Sequence, residues 1–428
     1  MRRSFISLLT IFVCALGSAA ALAQSERNTQ SPTAASPSSN TGKALESSNN
    51  TFLSAEDIVR QIGEARRLLS SRQASDASRD LVTVAAFDAE TSQTSMFSVP
   101  KNEFLVKDAD LSAAAGQGRI VRVHVVRANG VNTAVTVTDE STGRSLVPLL
   151  VQFPIVKDGA LSEIAYYTSA HPALLSPALT TAGKTYVRKM LDAATVRLAQ
   201  DGVTVSPDIV DIAEHLCIVE HTDHKRFLNE DHTVLFPEIL SLYALNEGNT
   251  FRYSVSTAGA GGMIQMIPQT YNAIREQHPG VSLEPDFVSG MRDHANALEA
   301  MLLYMNDTWG RLQQSAEVQD ALRNGIATKP ELLAAGYNSN PMRLAGYLKN
   351  GGDEWRSLIP AETQIYLKIY GAIDNTLQLG SDVGRIDSPS TDIKIAAVVN
   401  RPSVAAAVFS WLSWSVSGSF LGRFFPRT

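Results

Sequence analysis

Between Leu235 and Tyr271 the chain calls for a closeness of backbone packing that few folds provide. Seven consecutive residues, Ser256-Thr-Ala-Gly-Ala-Gly-Gly, hold three glycines and two alanines and nothing larger than threonine. Small residues of this kind let backbone pack directly on backbone or on a ligand. Ahead of this turn, Pro237 to Glu247 reads as a helix. Proline suits the first turn, and Ile239, Leu240, Leu242, Tyr243 and Leu245 wrap a buried stripe. Gly248-Asn249 is the expected stop, because both residues tolerate the left-handed conformation that closes a helix. Beyond the turn, Met263, Ile264, Met266 and Ile267 predict a second helix in which Gln265 is the one polar residue. A carboxylate at a helix end facing such a turn would stand in a cleft.

These residues resemble the lytic transglycosylases of the lysozyme-like superfamily. That signature runs Glu-Ser-x-Phe, a short gap, then Ser-x-x-Gly-Ala-x-Gly-Leu-Met-Gln-Leu-Met-Pro. Here Glu247 stands nine positions before Ser256, and Ser256, Gly259, Ala260, Gly262, Gln265, Met266 and Pro268 follow in step. Ala335-Gly336-Tyr337-Asn338-Ser339-Asn340-Pro341 is similar to a second block of the family. Ile359-Pro360-Ala361-Glu362-Thr363-Gln364-Ile365-Tyr366-Leu367 is similar to a third. The resemblance spans about residues 205 to 372. Two positions depart from the pattern: Gly248 stands where the family has serine, and Asn340 where it has glycine.

The resemblance implies cleavage of the bond between N-acetylmuramic acid and N-acetylglucosamine in peptidoglycan. In the family a single glutamate protonates the leaving oxygen, then takes the proton of the sugar's own 6-hydroxyl, and a 1,6-anhydro product forms without water. Such a glutamate must be protonated at rest, which apolar surroundings favour. Two residues compete for the role. Glu247 is the ungapped match and the favoured one. Glu220 ends an apolar helix that also begins with a proline, and choosing it makes residues 225 to 250 an insertion. Around it, His221, Asp223 and His224 form a dense polar cluster whose spacing fits no metal-ligand motif. The resemblance further implies that Ser256 hydrogen-bonds the carboxylate or the sugar, that Gly259 shapes the turn, and that Gln265 reaches substrate from the second helix. Tyr337 and Asn338 would line the cleft, with Asn338 meeting an N-acetyl group, and Tyr366 would hold the glutamate. No cofactor and no metal are implied.

Other readings stay open. A muramidase would hydrolyse the bond with a second carboxylate, for which Asp293 and Asp286 are candidates. A glycan-binding scaffold without turnover is the third reading, supported by the missing serine beside Glu247.

The 428 residues are 44% hydrophobic with a net charge of −6, a globular composition whose acidic balance argues against nucleic-acid binding. No zinc spacing, Walker loop or dinucleotide fingerprint occurs. Residues 1–23 read as a secretory signal: Arg2-Arg3, an apolar core from Phe5 to Leu16, and Ala21-Leu22-Ala23 before Gln24. The expected location is therefore periplasmic or extracellular. Its removal leaves Cys217 alone, in an apolar run that predicts a buried thiol. Residues 24–52 are Ser, Thr, Asn, Gln, Ala and Pro with little to bury, and read as a linker.

Ser54-x-x-Asp57 predicts a helix cap, with Ile58, Ile62, Ala65 and Leu69 at helical spacing to about Arg72. From residue 80 to 156 β-branched runs at Val82, Ile120 and Ala134, with turns at Asn129-Gly130 and Thr142-Gly143, predict strands. His124 falls within one of them. Helices follow at Leu174 to Gln200, from Pro207, at Ala295 to Leu312, Lys329 to Tyr337, Pro341 to Lys349 and Ala361 to Ile373. The expected class is α+β: a β-rich accessory region with an N-terminal helix over 53–165, then a mainly α lysozyme-like domain over 166–375. The tail, 376–428, contains the uncharged stretch Val404 to Gly422 with Trp411 and Trp414. It is expected to pack on the protein, with peripheral contact to a membrane surface or a membrane span as the alternatives. The expected partner is the peptidoglycan glycan strand.

Overall fold

A computed structural model describes residues 53–71, 78–377 and 379. The expected secretory signal and linker, and all but the first residues of the tail, lie outside the described residues. The architecture is α+β, a sheet region followed by a helical region.

The chain opens with α1 (Ala55–Ser71), capped as expected by Ser54, whose Oγ accepts from Asp57 N at 3.0 Å. The strands are β1 (Leu81–Asp88), β2 (Gln93–Pro100), β3 (Asp110–Ala114), β4 (Ile120–Arg127), β5 (Ala134–Asp139), β6 (Ser145–Lys157) and β7 (Ala160–Tyr167). A short helix, α2 (Lys101–Phe104), links β2 to β3. The sheet is antiparallel in the order β2-β1-β6-β5-β4-β3, with β7 added to β6. β6 is the hub, pairing with β5, β1 and β7 along its length. Pro148 lacks a ladder N–H, and the register to β1 shifts at that point, which is where a strand tolerates proline. Alternation along β4 sends Val121, Val123 and Val125 inward, where they meet Val84, Phe97, Val137 and Phe153. His124 points the other way, 3.1 Å from Asp110. Strands β2, β3, β6 and β7 escaped the sequence reading: β2, β3 and β7 are short or polar on their outer face, and β6 is interrupted by Pro148 and Pro154.

The helical region comprises α3 (Pro177–Gln200), α4 (Pro207–Val219), α5 (His224–Asn229), α6 (His232–Asn246), α7 (Pro268–Gln277), α8 (Phe287–Arg292) and α9 (His294–Leu312). It continues with α10 (Ala316–Arg323), α11 (Lys329–Asn338), α12 (Leu344–Gly351), α13 (Trp355–Leu358) and α14 (Ala361–Leu377). Its main core joins α3, α4, α6, α9 and α14 and contains Cys217, fully buried as expected. Burial pushes that thiol far above its ordinary range, so it is inert. A satellite core gathers α10 to α13 around Trp355.

Two expected helix boundaries are corrected. α6 begins at His232, where Asp231 accepts from Thr233 N at 2.8 Å, so Pro237 lies inside the helix rather than in its first turn. The residue that reverses the chain at its end is Glu247, with φ of +43°, and not Gly248. The expected helix over Met263 to Ile267 is a single 3-10 turn, Gly262–Ile264, followed by Gln265 in the left-handed region. The helix starts only at Pro268.

Sheet and helices meet across a third core. Ile58, Ile62, Ala65 and Leu69 of α1 pack with Ala85, Phe87, Leu149 and Leu150 of the sheet, with Leu174 just before α3 and with Leu179 in its first turn. A buried amide also joins them: Asn246 Oδ1 accepts from Thr168 N at 2.8 Å and its Nδ2 donates to Thr168 O at 2.9 Å. Arg127 of β4 meets Glu238 of α6, whose carboxyl Arg226 and Arg127 hold below the usual range against the opposing effect of burial.

Helices α3 and α6 touch backbone to backbone at Gly183. A Cβ there would fall 1.9 Å from the Leu240 carbonyl oxygen, a main-chain atom that cannot step aside. Gly183→Ala is therefore expected to lose about 2 kcal/mol or more, the scale of forced overpacking, in equilibrium urea unfolding. An unchanged midpoint would mean that these two helices are not packed as described.

Candidate active site

Helix α4 is apolar on nearly every side, with Ile209, Val210, Ile212, Ala213, Leu216, Cys217, Ile218 and Val219 all buried. It delivers Glu220, its C-terminal cap residue, to the end of the helical core. Glu220 keeps a partly exposed surface. Loss of solvation nevertheless pushes its carboxyl up to about 8, opposed by a hydrogen bond from Tyr366 and aided by the nearby Glu362 carboxylate. Tyr366 Oη donates to Glu220 Oε1 at 2.6 Å. Tyr366 comes from α14, a helix 146 residues further along the chain. Burial and the Glu220 carboxylate drive the phenols of Tyr366 and Tyr337 well above their ordinary range, so both are hydrogen donors at any working pH.

The small-residue turn is held against this carboxylate from three sides. Tyr337 Oη donates to Ile264 O at 2.7 Å, and His221 Nε2 donates to Met263 O at 2.9 Å. Burial lowers the His221 imidazole to about 3, so it stays neutral. Its ring stacks on Phe251 with centroids 3.4 Å apart. On the third side, Gly262 has φ of +68°, and a Cβ on it would lie 2.3 Å from the Met291 carbonyl oxygen of α8. Glycine is needed at 262 on both counts.

Each expected site residue has a definite place. Ser256 is exposed; its Oγ accepts from Ala260 N at 3.0 Å, which closes the turn and leaves the hydroxyl hydrogen free to donate. Gly259 supplies a positive φ of 79° within that turn. Gln265 is not on a helix: its backbone is left-handed and its Nε2 donates to Gly262 O at 2.8 Å. The hydroxyl of Tyr337 is spent on the turn rather than offered to a ligand. Asn338 ends α11, and its Oδ1 accepts from Thr363 Oγ1 at 2.7 Å. That bond orients the amide so that its NH2 is the group left over. Glu220, Tyr366, Tyr337 and the turn are thus brought together, and Asn338 follows Tyr337 at the end of α11, bonded to Thr363 of α14.

Glu247 is not among them. It lines a separate depression of about 320 Å³ with Val59, Ile62 and Arg66 of α1 and Ala244 and Leu245 of α6. Burial raises its carboxyl and Lys189 opposes the rise. The expectation that Glu247 faces the glycine-rich turn fails because the chain reverses at Glu247 and the segment from Gly248 to Ser254 carries the turn across to α4. Asp286 and Asp293, the candidates for a second carboxylate, cap α8 and α9 through their side chains. Of the polar cluster, His221 turns inward and Asp223 caps α5 by accepting from Arg226 N at 2.9 Å. Two supporting residues went unnoticed in the sequence. Thr363 was legible only as a helix first turn, and His221 only as part of a charged cluster.

No family model, curated protein or solved structure matches the chain.

Two stability effects follow. A carboxyl raised from 4.5 to about 8 binds a proton in the folded chain that the unfolded chain has released. Its contribution is complete below pH 4.5 and is lost as the pH rises to about 8. Glu220→Gln should therefore melt at a higher temperature than the parent at pH 8 and at the same temperature as the parent at pH 4. Equal shifts at both pH values would contradict a desolvated Glu220. Glu247, at a φ that glycine prefers, should gain about 1 kcal/mol on replacement by glycine in thermal melts; a loss would contradict the strained reversal.

Proposed function

We propose that this chain cleaves glycan strands of peptidoglycan at the bond between N-acetylmuramic acid and N-acetylglucosamine, with Glu220 as the single acid and base. The reading that the sequence resemblance offers, a lysozyme-like lytic transglycosylase, is kept, and the acid is reassigned from Glu247 to Glu220. One observation carries it: a carboxyl raised to about 8 and bound by a tyrosine, beside a glycine-rich turn that lets a polymer approach main chain. A carboxyl of this kind is protonated near neutral pH, as a general acid must be.

The chemistry then runs in two proton transfers. Glu220 gives its proton to the glycosidic oxygen as the bond to the anomeric carbon breaks. The carboxylate so formed is stabilised by the hydrogen bond from Tyr366. It then takes the proton of the sugar's 6-hydroxyl as that oxygen closes on the anomeric carbon. The enzyme returns to its starting state and no water enters. The free NH2 of Asn338 suits the carbonyl of an N-acetyl group, and Ser256 and Gln265 offer a donor and an acceptor on the turn. Hydrolysis by Asp286 or Asp293 is disfavoured because both carboxylates are committed to helix N-termini.

The test is to incubate the full chain with purified peptidoglycan and weigh the released muropeptides by mass spectrometry. Anhydro products are expected, falling at least about 100-fold in Glu220→Gln and persisting in Glu247→Gln. Activity should fall on the alkaline side with an apparent pKa near 8. Tyr366→Phe removes an interaction that lowers this value, so its alkaline limb should move upward. Loss of products in Glu247→Gln alone would restore the first assignment. Reducing-end products would mean hydrolysis, and no release at all would favour a binding protein.

A further inference from the structure

The two end strands of the sheet, β2 and β3, lie beside one another, yet no ladder joins them. α2 links them at one end of this seam. Elsewhere the seam opens into a groove of about 530 Å³, with Gln93 to Ser98 of β2 on one wall and Ala114 to Gln117 and Arg119 of the β3–β4 turn on the other. β2 pairs with β1 from Gln93 to Pro100 and with no other strand. In an antiparallel pair only alternate residues turn their N–H and C=O to the partner, so the remaining main-chain groups of β2 point into the seam. Arg119 Nη1 crosses to the Ser95 hydroxyl at 3.4 Å, a side-chain contact that leaves this edge of β2 unpaired among the described residues.

Strand edges are normally blunted by a charge, a proline or a bulge. Between Gln93 and Val99, β2 has none of these: its residues are uncharged and its register to β1 is unbroken. The facing wall, Ala114-Ala-Gly-Gln117, is small and neutral, and the Arg119 charge is taken up by Asp139 at 2.7 Å and Asp88 at 3.7 Å. A row of unpaired N–H and C=O groups is matched by another extended main chain. Uncharged walls select an uncharged segment, because a charged side chain would lose water there and meet no counter-ion. The β3–β4 turn walls the far side, so a single extended segment can enter, whereas a whole second sheet, as in another copy of this chain, would meet that turn.

We propose that this seam is a docking site for one extended, uncharged segment of a partner protein, added as a strand along Gln93 to Ser98 of β2. Six residues of strand span about 20 Å, which sets the length of the segment. Docking there is independent of the chemistry at Glu220 and makes the sheet region a tether.

The probe is a phage library of random dodecapeptides panned on the immobilised full chain, with the selected sequences then made as synthetic peptides. They are expected to be uncharged, with apolar or β-branched residues at alternate positions. In hydrogen exchange, the amides of Gln93 to Ser98 that β1 leaves free should exchange fast in the chain alone and slow by at least about 10-fold with saturating peptide. N-methylation of alternate peptide residues removes the N–H donors of one edge, so one of the two alternating patterns should abolish binding. Ala114→Trp, at an exposed position on the facing wall, should weaken binding at least about 10-fold with the melting temperature unchanged. The site is overturned if no peptide is selected, if the selected peptides protect another segment, or if affinity survives both N-methylation patterns. Slow exchange of all the Gln93 to Ser98 amides before peptide is added also overturns it, because the seam would then be filled by this chain or by a second copy.

Discussion

The site depends on the contact of Gly262 with the Met291 carbonyl. No side chain can occupy that gap, and the backbone angle found there favours glycine. With Gly262 seated on α8, the carbonyls of Met263 and Ile264 point to His221 on one side and Tyr337 on the other. A turn of small residues, which alone could adopt many shapes, is thereby held in one beside Glu220. The ordering of the turn is completed on folding, so a group that meets it need not order it.

Neutral, buried groups do much of this holding. His294 donates to Thr250 O at 2.8 Å and accepts from Tyr186 Oη at 2.9 Å, an arrangement that needs a neutral imidazole, and burial lowers it to about 4. His221 is neutral for the same reason. With these imidazoles uncharged, Glu220 has no cationic partner among its principal influences, and its carboxyl rises instead of falling. Where the chain wants an ionised carboxylate it does the opposite: Glu238, also buried, is given two arginines and stays low. The contrast between Glu220 and Glu238 is one of partners rather than of depth.

The described residues fall within one compact unit, and the sheet is bound into the helical region by more than apolar packing. Asn246 imitates a strand edge toward Thr168, and Glu163 of β7 accepts from Tyr253 at 2.6 Å and pairs with Arg292 at 3.1 Å. These bonds grip both ends of the segment from Asn246 to Ser254. The sheet therefore fixes where the glycine-rich turn begins, which makes it part of the frame of the site.

Much of the fold was legible in the residue pattern. The period of α1, the cap at Ser54, the helix from Pro207, the β-branched runs of β1, β4 and β5 and the burial of Cys217 follow from local side-chain chemistry. Local chemistry also marked the glycine-rich turn, whereas Tyr337, Asn338 and Tyr366 were singled out only by the family resemblance. It misled where long-range contacts override propensity: at Pro237, tolerated within α6, and over Met263 to Ile267, where His221 and Tyr337 claim carbonyls that a helix would have used. The choice between Glu220 and Glu247 was beyond the sequence. Both end apolar helices begun or crossed by proline, and what separates them is a phenol 146 residues away and a backbone reversal at Glu247. Sequence alone determined which side chains were available and where most of the helices and three of the strands would lie, because those depend on neighbours a few residues apart. Only the tertiary structure decided which carboxyl is deprived of water and given a single neutral partner, because desolvation is set by all the elements that close around a group.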